Sequence, residues 1–87
     1  MVRWDLVSFI ARSEQRKKIL SVLTEPITPS DISKKTGLYP THVSRALGEF
    51  IEKGLVECLT PKERVGKLYR ITKLGKEILK QMDKMKK

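Results

Sequence analysis

Between Thr28 and Gly54 the two prolines, suited to open helices, and the glycines at 37 and 54, suited to close them, leave room for only two short helices and one turn. Thr28 offers a side-chain oxygen as an N-cap, Pro29 suits the first helical position, and Asp31 puts an acidic group near the positive end of the helix dipole. Gly37 stops that helix after two turns, because a residue tolerant of φ > 0 is needed there. Leu38-Tyr39 crosses to Pro40, again suited to a first helical position, and Gly54 is the next stop. Two helices joined by a glycine-containing turn make a helix-turn-helix.

The spacing predicts a second helix from Pro40 to about Lys53. Val43, Ala46, Leu47, Phe50 and Ile51 recur three and four apart and form its expected buried stripe. Thr41, Ser44, Arg45, Gly48 and Glu52 line the opposite arc.

The flanks complete the layout. Residues 1–24 read as two helices, Trp4 to Ala11 and one capped by Ser13 that runs to about Thr24. In the latter, Ile19, Leu20, Val22 and Leu23 share one arc, with Glu14, Arg16 and Lys17 expected to face away. Glu25-Pro26-Ile27 reads as a break. Leu55–Thr60 and Leu68–Thr72 are β-favouring, and the charged residues 61–67 between them form a turn. Thr72 can cap a last helix over 73–87. The expected fold class is mainly α with a small antiparallel β-hairpin (α+β). It is one domain, 1–87, with a helix-turn-helix at 28–53 and a hairpin at 55–72.

Composition removes other classes. Eighty-seven residues support one core. The nearly apolar run from Leu6 to Ala11 is far short of the roughly 20 residues that span a bilayer, and Arg3 and Asp5 leave no signal-peptide core. We therefore expect a cytoplasmic, nucleoid-associated protein with no membrane contact. One cysteine, Cys58, and one histidine, His42, leave no disulfide, metal site or catalytic constellation to build. No enzyme activity, cofactor or small-molecule ligand is expected. Asn is absent while Lys and Glu are abundant, the composition of proteins from hot environments.

The formal net charge is +9. Residues 1–24 carry +3, residues 25–59 carry −1, and residues 60–87 carry +7. A basic end on a near-neutral middle is an electrostatic footprint for a polyanion.

The order helix, helix, helix, hairpin, helix resembles the winged helix-turn-helix transcriptional regulators of the broad MarR and ArsR-like kind, archaeal or bacterial. The resemblance rests on Thr28-Pro29-Ser30-Asp31-Ile32, Thr41-His42-Val43-Ser44-Arg45-Ala46-Leu47, Glu52-Lys53-Gly54-Leu55-Val56 and Tyr69-Arg70-Ile71-Thr72-Lys73-Leu74-Gly75. It runs continuously from Thr28 to Gly75. It implies sequence-specific binding of double-stranded DNA by a regulator of transcription, with helix 40–53 in the major groove and the hairpin as a wing.

Physical chemistry selects the same residues. A groove-reading helix presents small and hydrogen-bonding side chains to base edges, and the N-terminal half of helix 40–53 offers Thr41, His42, Ser44 and Arg45. Tyr39 and Pro40 open it, with Tyr39 placed either to stack on a sugar or merely to close the turn. Glu49 and Glu52 in its C-terminal half would repel phosphate, so the helix should enter N-terminus first. Lys62, Arg64 and Lys67 at the hairpin tip suit the flanking backbone or the minor groove. Gly48 stands on the exposed arc where a basic residue would be usual in such regulators. Its place there fits close approach to DNA or to a partner helix, or a face little used for phosphate. Ile78, Met82 and Met85 share a stripe on the last helix that wants a partner, either the Trp4–Ala11 segment or a second copy; a homodimer is the preferred reading. Two other functions remain open: a winged-helix adaptor for protein partners, and a non-specific nucleic-acid binder.

Overall fold

The computed structural model describes residues 3–85. Five helices and two strands follow one another as α1 (Trp4–Ala11), α2 (Glu14–Val22), α3 (Pro29–Thr36), α4 (Pro40–Glu52), β1 (Val56–Cys58), β2 (Tyr69–Ile71) and α5 (Lys73–Met85). Residues 86 and 87 of the expected last helix lie outside the described residues.

Local chemistry sets the helix ends. The Ser13 hydroxyl accepts from the Arg16 backbone N–H at 3.3 Å, and the Thr28 hydroxyl from that of Asp31 at 3.2 Å. Gly37 ends α3 at φ 75°, and Gly54 follows α4 at φ 77°. Both positions lie in the left-handed region that disfavours any side chain. The turn after α3 is closed by hydroxyls: Ser33 donates to the Leu38 carbonyl, and Thr36 accepts from the Leu38 N–H at 3.3 Å. Thr72 donates to the Gly54 carbonyl at 2.6 Å and accepts from the Gly75 N–H at 3.2 Å, so the cap of α5 is also a staple to the end of α4.

β1 and β2 pair antiparallel, Val56 with Ile71, Glu57 with Arg70 and Cys58 with Tyr69. Glu25-Pro26-Ile27, read from the sequence as a break, supplies more than a break. Ile27 bridges to Tyr69, each N–H donating to the other's carbonyl at 3.0 and 2.9 Å. The strand ladder therefore ties the start of the helix-turn-helix to the base of the hairpin.

The core gathers Leu6, Val7 and Ile10 of α1 with Ile19, Leu20 and Leu23, Ile32, Val43, Leu47 and Phe50, and the hairpin residues Leu55, Val56 and Ile71. Two expectations about faces need correction. Ile51 is 43% exposed, outside the stripe that buries Val43, Ala46, Leu47 and Phe50. Ile78 and Met82, expected at an intersubunit seam, are only 1% and 9% exposed within the single chain. α5 lies against α1 and α2, so the partner that its stripe needs is the Trp4–Ala11 segment with α2. The side chain of Met85 lies outside the described residues.

Candidate nucleic-acid interface

α4 is amphipathic, and its two faces do different work. Val43, Ala46, Leu47 and Phe50 anchor it in the core. Opposite them Thr41, His42, Ser44 and Arg45 are all exposed, together with Tyr39 and Pro40 at its start. No side chain caps the first turn; Pro40 has no N–H to cap, and the His42 N–H donates to the Tyr39 carbonyl at 3.0 Å. Tyr39, 75% exposed, stands edge-on to the His42 ring with centroids 6.0 Å apart. This places an aromatic and an imidazole side by side at the tip of the helix. Gly48 follows on the exposed arc, and a Cβ built there would meet nothing within 4 Å.

The hairpin reaches away from the core beyond its paired strands. The Leu59 N–H donates to the Leu68 carbonyl at 2.7 Å, and the Leu68 N–H to the Thr60 hydroxyl at 2.9 Å. Past that point residues 61–66 are exposed, Lys62 and Arg64 among them, while Lys67 is half-buried at the return. Gly66 takes φ 69° to close the loop. Among the described residues Arg45, Lys62, Arg64 and Lys67 make no ion pair, so their charge is free for a partner. Arg70 in the strand is different: it stands across from Glu57 at 3.9 Å.

A cleft of about 450 Å³ opens beside α4, lined by Ser13, Gln15, Arg16, His42, Arg45 and Glu49. The sequence puts Arg16 on the outward arc of α2 and makes Glu49 an exposed, phosphate-repelling carboxylate in the C-terminal half of α4. The structure brings them together, Nη2 to Oε2 at 3.6 Å. No local pattern announces a contact between residues so far apart in the chain. Among the described residues no cluster of His, Cys, Asp and Glu could hold a metal ion, and no helix is long and apolar enough to cross a membrane. Cys58 is a half-buried free thiol opposite Tyr69.

Comparison with solved structures gives the same architecture. The chain superposes on a cysteine-to-serine mutant of MarR from E. coli, solved in complex with operator DNA, at a TM-score of 0.75 and 25% identity; the match covers 92% of this chain and 59% of that one. It matches AF1382 from Archaeoglobus fulgidus at 0.73 and 23% identity, over 84% and 85% of the two chains. A mutant of the type III plasmid segregation protein TubR matches at 0.76 and 14% identity, over 94% and 92%. The chain spans less than two thirds of the length of the MarR structures it matches. No curated protein matches it in sequence. The fold is the winged helix of the MarR-type regulators. At the level of sequence the model of the HVO_A0261 N-terminal domain matches residues 4–87, and the chain belongs to that family.

Proposed function

We propose that this protein is a double-stranded DNA-binding transcription regulator, with the N-terminal half of α4 in the major groove and the wing over the flanking backbone or minor groove. The observation that carries the reading is the outer face of α4. Four hydrogen-bonding side chains, Thr41, His42, Ser44 and Arg45, stand exposed on a helix whose opposite face is locked in the core. A helix held in this way can enter a groove without reorganising. The likeness to a MarR solved with operator DNA supports the same reading. In it Arg45 reads a guanine edge bidentately, while Lys62, Arg64 and Lys67 neutralise phosphate. Two chains on an inverted repeat, with half-sites about 10 base pairs apart, belong to this reading. Because Ile78 and Met82 are already covered, their seam uses other residues.

The test begins with selection of bound duplexes from a random pool at near-physiological salt. On the selected site Arg45→Ala should cost about 1–3 kcal/mol and relax preference at one base position per half-site. Replacing Arg64 and Lys67 together should weaken cognate and random duplexes alike, and lower the salt slope by about one to two units per chain. Equal loss on both duplexes for Arg45→Ala would make it a phosphate contact and overturn this docking. If neither change touched DNA binding, the adaptor reading would take its place, supported by the −1 charge of residues 25–59.

A further inference from the structure

Arg16 joins three helices. From the first turn of α2 its guanidinium Nη1 donates to the Phe9 carbonyl at 2.9 Å, and its Cζ lies 3.9 Å from the centroid of the Phe9 ring. The same guanidinium faces Glu49 of α4 at 3.6 Å. Phe9 in turn meets Phe50 edge-on, with centroids 6.4 Å apart, and carries the Lys53 ammonium over its ring at 4.6 Å. The contacts differ in kind. The hydrogen bond and the stacking on Phe9 hold Arg16 in place, whereas its approach to Glu49 is longer than a good hydrogen bond. Arg16 is therefore fixed by α1 and presented to α4.

What it meets there matters for a polyanion. Glu49 lies one turn beyond Arg45 on α4, and both line the cleft shared with His42. A bare carboxylate at that point stands within a Debye length of any phosphate that approaches Arg45, and repels it. We infer that Arg16 is a positioning residue of the interface: anchored on Phe9, it neutralises Glu49 and so leaves the cleft flank of α4 with the net positive charge of Arg45. The inference rests on the DNA-binding reading above. An ordinary half-exposed ion pair would contribute little to stability and nothing to binding, so the two roles separate experimentally.

The experiment measures duplex affinity on the selected site across a salt series, with the melting temperature of every variant in the same buffer. Arg16→Gln should lower affinity about five- to tenfold, the effect of one uncompensated charge at this range in a medium between protein and water. Glu49→Gln alone should tighten binding a few-fold and steepen the salt slope, since Arg16 is then free to act on phosphate. The double variant should return to within about twofold of the wild type, because neither charge remains. A double variant as weak as Arg16→Gln, with melting temperatures falling in step, would mean a purely structural role and overturn the inference. An unchanged affinity and salt slope for Glu49→Gln would do the same, and that variant keeps every Phe9 contact of Arg16. A wild type that binds no duplex at all would remove the DNA-binding reading and this inference with it; a wild type that binds, without rescue in the double variant, removes this inference alone.

Discussion

At the base of the hairpin α5 begins against the backbone of Leu55, and a Cβ on Gly75 would collide with that residue's carbonyl oxygen and with Ile71. On the outer face of α4, Gly48 stands in mid-helix with open space around it. The first glycine is demanded by the protein's own packing; nothing inside the molecule demands the second. The contrast extends to the neighbours. Around Gly75 the backbone is knotted: Leu55 donates to the Phe50 carbonyl, Thr72 to the Leu55 carbonyl and Ile71 to the Leu23 carbonyl, all between 2.8 and 2.9 Å. Around Gly48 the side chains of Ser44, Arg45 and Glu52 are exposed. One region spends its sequence on holding the wing to the helices. The other leaves its sequence free to meet something outside.

The largest expected effect breaks the first region. Gly75→Ala forces a methyl into the Leu55 carbonyl and the Ile71 side chain, so α5 must shift or the hairpin must open. Overpacking of this kind costs about 2–3 kcal/mol, which lowers the melting temperature of a domain this size by roughly 10–20 °C. A thermal melt that moved by only a degree or two would show that α5 can slide, and the contrast between the regions would fail.

The matching substitution in the second region should have the opposite sign. Gly48→Ala adds a methyl where nothing is touched and removes the backbone entropy of a helical glycine. It should stabilise the domain by up to about 1 kcal/mol, read as a melting temperature higher by roughly 4–8 °C. Destabilisation would mean that the outer face of α4 is constrained from within after all.

These two glycines also mark what the sequence makes legible. Every device in the helix-turn-helix is local: Thr28 caps residues just beyond it, Gly37 and Gly54 turn the chain where they stand, and Pro29 and Pro40 begin helices. Such signals can be read one turn at a time. The exposed face of α4 was legible for the same reason, since helical periodicity alone puts Thr41, Ser44 and Arg45 opposite Val43, Ala46 and Leu47. Hidden from that reading were the contacts closed by the fold. The bridge of Ile27 to Tyr69 involves one residue of a segment with no alternation to betray a strand. The stripe of Ile78 and Met82 announces an apolar face but not which surface covers it. Arg16 looks like any charged residue on an outward arc until α1 and α4 close around it.

The smallest expected effect compares the regions through the two tyrosines. Tyr39 stands exposed at the tip of α4, while Tyr69 is half-buried at the base of the hairpin, across from Cys58. Burial first, and the neighbouring Cys58 second, push the Tyr69 phenol above its usual value. The sign follows from linkage. A phenol that holds its proton more tightly when folded adds stability at any pH below its unfolded value of about 10, and that contribution is lost as the pH rises through the folded value. In a Tyr39→Phe variant the remaining tyrosine is Tyr69, so absorbance of the tyrosinate reports it alone. Its midpoint should lie above the unfolded value, and the melting temperature should start to fall only in the same alkaline window. A midpoint at or below that of a free tyrosine would mean that water reaches the base of the hairpin as freely as it reaches the tip of α4.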